Sequence, residues 1–112
     1  MSGNQEKVLL DLNYPEFQSA LFDLDTSEVK KVFKTLKKIK GMTWQGVFQD
    51  HGLKWEELKS VPGKFTIRLS QSYRAVVARD ESFMRFLVLS QDHDKAYGKK
   101  QVFHQFHCDF SR

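Results

Sequence analysis

The helical hydrophobic repeat of this chain stops at Gly52, and from Lys64 a two-residue repeat takes its place. The switch requires helices in the first half and a sheet in the second. In the first half, Val29, Val32, Phe33, Leu36 and Ile39 make one apolar stripe, as on a helix that buries a single face. In the second half, Phe65, Ile67 and Leu69 alternate with Lys64, Thr66, Arg68 and Ser70, the pattern of a half-buried strand. Tyr73 to Arg79 and Phe83 to Ser90 read as two more strands, joined by a tight turn at Asp80-Glu81-Ser82. Two consecutive hairpins make an antiparallel meander. The expected fold class is α+β, with the N-terminal helices packed on one face of an antiparallel sheet and the other face open.

The helix boundaries follow from their end signals. Asn13, Pro15 and Glu16 can start a helix whose apolar positions are Phe17, Ala20, Leu21 and Leu24. A second start at Asp25 to Glu28 opens the striped helix, which Gly41 ends. Thr43 to His51 reads as a third, short helix with Trp44, Val47 and Phe48 inward. Val8 to Leu12 suits a short strand, and Leu53 to Val61 fits neither period. Residues 1 to 7 and the tail from Lys99 read as flexible ends of one domain spanning residues 1–112.

The 112 residues are 40% hydrophobic and 13% aromatic, enough for a core, so the chain is not a disordered one. The longest apolar runs are four residues, at Ala75–Ala78 and Phe86–Leu89, far short of the roughly 20 of a membrane helix. No membrane association and no secretory signal are expected. A lone cysteine, Cys108, excludes an intrachain disulfide and points to the reducing cytoplasm. His104, His107, Cys108 and Asp109 sit within one turn of chain without a second cluster, so neither a metal nor another cofactor is expected.

The formal charge is +4, which suggests an anionic partner. Lys30, Lys31, Lys34, Lys37 and Lys38 line the polar face of the striped helix, where Glu28 is the only acid. Such a face can follow a nucleic-acid backbone without reading sequence, or meet an acidic protein, or simply be solvated. If the first hairpin turns about Gln71, Arg68 and Arg74 lie directly opposite each other. Like charges so placed repel. Either a polyanion sits between them, held by guanidinium forks that match phosphate oxygens, or each pairs with a nearby acid. Beyond the last strand, His93 is flanked by Asp92 and Asp94, with Tyr97 four residues on. That set can exchange protons near neutral pH, or be an exposed histidine beside a packed tyrosine.

The segment KFTIRLSQSYRAVV from Lys64 to Val77, followed by MRFLVL from Met84 and DHDKAY from Asp92 to Tyr97, resembles the RelE/ParE superfamily, toxins of bacterial type II toxin–antitoxin systems. The best match runs from about Leu58 to Tyr97. The resemblance implies a curved antiparallel sheet with helices on one side. It implies a ribosome-dependent endoribonuclease that cuts mRNA by metal-independent 2′-hydroxyl attack and is held by a cognate antitoxin. On that reading Arg68, Arg74, His93 and Tyr97 are catalytic: the arginines hold the scissile phosphate, His93 is acid or base, and Tyr97 positions a base. Lys30, Lys34, Lys37, Lys38 and Lys64 would contact RNA, the ribosome or the antitoxin. Several members carry an arginine where Gln91 or Asp92 stands here, and Arg85 has no counterpart. The superfamily also contains gyrase poisons, so a non-nuclease binding protein of the same fold is the first rival. A small basic adaptor that docks through Phe103, Phe106 and Phe110 is the second.

Overall fold

The structure, a computed structural model, describes residues 5–91. His93, Tyr97, the acids beside His93 and the whole phenylalanine-rich tail lie outside the described residues. The chain runs β1 (Leu9–Asp11), α1 (Pro15–Phe22), α2 (Thr26–Lys40), α3 (Trp44–Gln49), β2 (Glu56–Glu57), β3 (Phe65–Arg68), β4 (Tyr73–Asp80) and β5 (Phe83–Gln91). This is the α+β arrangement read from the sequence.

The strands form one sheet in the order β1-β5-β4-β3-β2. The meander β3-β4-β5 is antiparallel. β1 departs from expectation: it pairs parallel with β5, Leu10 beside Met84. The sheet is therefore mixed; the chain between β1 and β5 holds all three helices and the strands β2, β3 and β4.

Helix ends follow local chemistry. Asp25 caps α2 by accepting from the Glu28 amide at 3.0 Å and from Ser27 Oγ at 3.0 Å. These bonds, the amide first, hold its carboxyl below the usual range. Thr43 caps α3 through the Gly46 amide at 3.1 Å. For α1 the expected Asn13 cap is not formed. Tyr14 occupies the cap position without a side-chain bond, and Gln18 instead donates to the Leu12 carbonyl at 2.7 Å. Residues 5–7, expected to fray, are tied down in part: the Trp44 amide donates to Glu6 O at 3.0 Å and Lys7 bridges Thr43.

The main core lies between helices and sheet. Phe17, Val32, Leu36, Ile39, Trp44 and Val47 meet Ile67, Ala75, Val77, Met84 and Phe86 there. Phe33 and Phe48, both expected inward, are 44% and 41% exposed. Phe33 lines an apolar groove with Leu10, Leu12 and Leu36, and Phe48 packs at a tilt on Trp44 and Trp55. The opposite face of the sheet is not simply open. Val76 and Val88 are covered by Leu58, with Val61 and Leu87 packed beside them. A bulge makes this second cluster: Val76 pairs with Val88 but Val77 pairs with Phe86, so Leu87 is an extra residue. Phe86 and Leu89 can then face the helices while Val88 faces away.

Candidate functional site

The hairpin between β3 and β4 sets the site. Ser70 Oγ accepts from the amides of Ser72 at 3.2 Å and Tyr73 at 3.1 Å, and the Tyr73 carbonyl accepts from Leu69 and Ser70. This turn fixes the register that places Arg68 directly opposite Arg74. Their neighbours Ile67, Leu69 and Ala75 face the helical core, so the two arginines share the other sheet face.

Arg74 is 9% exposed and donates from Nη2 to Thr66 Oγ1 at 3.3 Å; Thr66 is 5% exposed. On the far side Arg74 pairs with Ser90, whose buried hydroxyl has no hydrogen-bond partner among the described residues. The apolar shelf of Leu58, Val76 and Val88 occupies the same face. A guanidinium as buried as that of Arg74 is poorly hydrated, and its electrostatic interactions are strengthened accordingly. Sequence reasoning missed Thr66. Its position two residues from Arg68 on an alternating strand is the signal that finds it.

The lysines do not converge on this pair. Lys30, Lys34 and Lys37 are exposed on α2, in the helical layer. Lys64 stands at the opposite end of β3 from Arg68, about 14 Å away along an extended strand. Its carbonyl accepts from the Leu58 amide at 2.9 Å, which closes the loop over the apolar shelf. Lys38 is bound to Asp50 at 2.9 Å and lines a cleft of about 270 Å³ together with Arg68. The remaining arginines of the sheet have structural surroundings. Arg85 lies between Asp11 at 3.3 Å and Asp80 at 3.0 Å. Arg79 stacks on Trp44 at 4.2 Å and donates to Glu81 O at 2.8 Å. Among the described residues no cluster of histidine, cysteine and carboxylates could hold a metal ion, and no helix is long and apolar enough to cross a membrane.

No protein-family model and no curated protein matches the chain. Among solved structures it is similar to a chain of the YoeB–YefM complex from Staphylococcus aureus. The two are 16% identical, the likeness covers 76% of this chain and 97% of that one, and the TM-score is 0.49.

Proposed function

We propose that this protein is a RelE-like toxin of a type II toxin–antitoxin pair, acting in the cytoplasm as a ribosome-dependent endoribonuclease. The observation that carries the reading is the Arg68–Arg74 cross-strand pair, two guanidinium groups side by side on one sheet face whose forks match phosphate oxygens. The resemblance of residues 58–97 supplies the rest.

In the proposed reaction the 2′-hydroxyl oxygen attacks the adjacent phosphorus as the bond to the 5′-oxygen breaks. The products are a 2′,3′-cyclic phosphate and a 5′-hydroxyl. Arg68 and Arg74 neutralise the charge that builds on the phosphoryl oxygens. The proton of the 2′-hydroxyl leaves to a base, and His93 returns one to the departing 5′-oxygen. Tyr97 positions the base. The lysine face of α2 would contact ribosomal RNA or an acidic antitoxin.

A second reading, a binding protein of the same fold without nuclease activity, draws support from the burial of Arg74 against Thr66, since an arginine so enclosed also serves packing. Induced expression in a bacterium with mapping of mRNA 5′ ends separates the two. New 5′ ends within translated codons are expected. Growth arrest with intact messages and damaged DNA would replace the nuclease by the gyrase-directed reading.

A further inference from the structure

β1 covers only part of β5. It pairs with Phe83, Met84 and Arg85 and then leaves the sheet, where Asp11 Oδ1 accepts the Asn13 amide at 3.1 Å and the chain turns into α1. β5 runs on to Gln91. From Phe86 to Gln91 its outer edge has no strand beside it among the described residues. A hollow of about 400 Å³ lies there, lined by Glu16, Ser19, Ala20 and Asp23 along α1 and by Val88 and Leu89 of β5. Leu89 belongs to the helix-side core and Val88 to the cluster on the opposite sheet face. Neighbours from opposite faces line one hollow only at the edge of their strand. An open edge of six residues, 86–91, can take another strand, and proteins normally cover such edges.

The chemistry of the hollow selects the strand. Its α1 wall carries Glu16 and Asp23, both exposed, and among the described residues no cationic side chain lines it. Ala20, Val88 and Leu89 add an apolar floor. A strand with lysines and apolar side chains suits this edge, because the backbone ladder gives affinity and the flanking groups give specificity. An acidic segment would be repelled.

The chain's own continuation has the right composition. Residues 92–112 follow directly from the end of β5 and lie outside the described residues. The seven residues 92–98 exceed the roughly two to five that close most hairpins. Next comes Lys99-Lys100-Gln101-Val102-Phe103-His104-Gln105-Phe106, which has two lysines and no acid. Eight extended residues reach about 27 Å, more than the roughly 20 Å of the open edge.

We propose that residues 99–106 add to the outer edge of β5 as an antiparallel sixth strand, with Lys99 and Lys100 toward Glu16 and Asp23. The loop so closed holds His93 and Tyr97 and starts beside the arginine pair, since Ser90 pairs with Arg74 and Gln91 with Tyr73. Neither the edge nor its occupant depends on the ribonuclease reading.

Amide hydrogen exchange in the full chain tests the placement. At about 20 mM salt, where exposed charges are little screened, alternate amides between Gln101 and Phe106 should exchange on the order of tenfold more slowly than in a free peptide of that sequence. The slowing should not vary with protein concentration. The double variant Glu16→Lys, Asp23→Lys should lose it while the Phe17 and Leu21 amides keep their own protection. Adding Lys99→Glu and Lys100→Glu should return it. Tail amides that exchange at the free-peptide rate in the wild-type chain overturn the proposal and leave the edge to another molecule. Protection that grows with protein concentration, together with a dimer mass, overturns it in favour of a second copy. Protection that survives reversal of Glu16 and Asp23 places the tail elsewhere and overturns it too.

Discussion

Arg74 reaches diagonally across the β3–β4 ladder to Thr66, Nη2 to Oγ1 at 3.3 Å, from a position directly opposite Arg68. The bond orients one of the two adjacent guanidinium groups. On the proposed ribonuclease reading, Thr66 positions the fork. Arg74→Ala should reduce message cleavage on the order of 100- to 1000-fold, the usual effect of removing one donor from a developing negative charge. Thr66→Val should reduce it by roughly tenfold, about the 1.5 kcal/mol of a hydrogen bond to a charged group. Cleavage rates on programmed ribosomes check both. Thr66→Ser should restore the wild-type rate; a Thr66→Ser rate as low as that of Thr66→Val would show that the bond has no role.

Arg85 supplies the contrasting case. It shares β5 with the core but is held by Asp11 and Asp80 at the surface. Exposed ion pairs of this kind contribute about 0–1 kcal/mol. Arg85→Ala should leave growth arrest intact and lower the unfolding free energy by no more than that range, as read from urea denaturation at matched soluble expression. Loss of toxicity in a variant of wild-type stability would move Arg85 into the site.

Much of this arrangement is legible in the residues, for physical reasons that differ by element. The α2 stripe is legible because 15 residues give four turns in which to express a period. The arginine register is legible because the turn is short and Ser70 is a residue that bonds its own following backbone. The parallel pairing of β1 is not legible. Three residues carry no direction, and the partner lies more than 70 positions away. The bulge at Leu87 is hidden because Phe86 to Leu89 is an unbroken apolar run whose residues divide between the two faces. Phe33 is misread because hydrophobicity places it on the stripe, whereas it is 44% exposed and lines an open apolar groove with Leu10, Leu12 and Leu36.

The Asp50–Lys38 pair predicts a pH dependence. The Lys38 hydrogen bond, followed by the Leu53 amide, holds the Asp50 carboxyl below the usual carboxylate range. A depressed value in the folded state means that folding favours the ionised form. The stabilisation is therefore fully present above the unfolded value of about 3.9 and is lost as pH falls through the lower folded value. Urea midpoints should show wild-type protein more stable than Asp50→Asn at pH 7. The gap should narrow below about pH 4. A gap that stays constant into strong acid would mean that Asp50 acts through its turn geometry alone.

The lysine face of α2 makes the broadest claim on a partner. Lys30, Lys34 and Lys37 are exposed, while the buried side of the same helix is Val32, Leu36 and Ile39. Reversing the three to glutamate leaves that core untouched, so the thermal midpoint should change little. Local charge instead inverts along the length of the helix. Each lysine that follows a phosphate releases counterions on binding, so the loss should be largest at low salt and shrink as salt rises. Lys37 also lies on the rim of an apolar groove formed by Leu10, Leu12, Phe33 and Leu36, where an acidic partner with apolar side chains would lose both a charge and its alignment. Co-sedimentation with ribosomes and capture of the antitoxin, each at about 50 and 200 mM salt, separate the two partners. Weakened sedimentation with normal antitoxin capture assigns the face to ribosomal RNA, and the converse assigns it to the antitoxin. If neither interaction changes at the lower salt, the lysines serve only to keep the helix in solution.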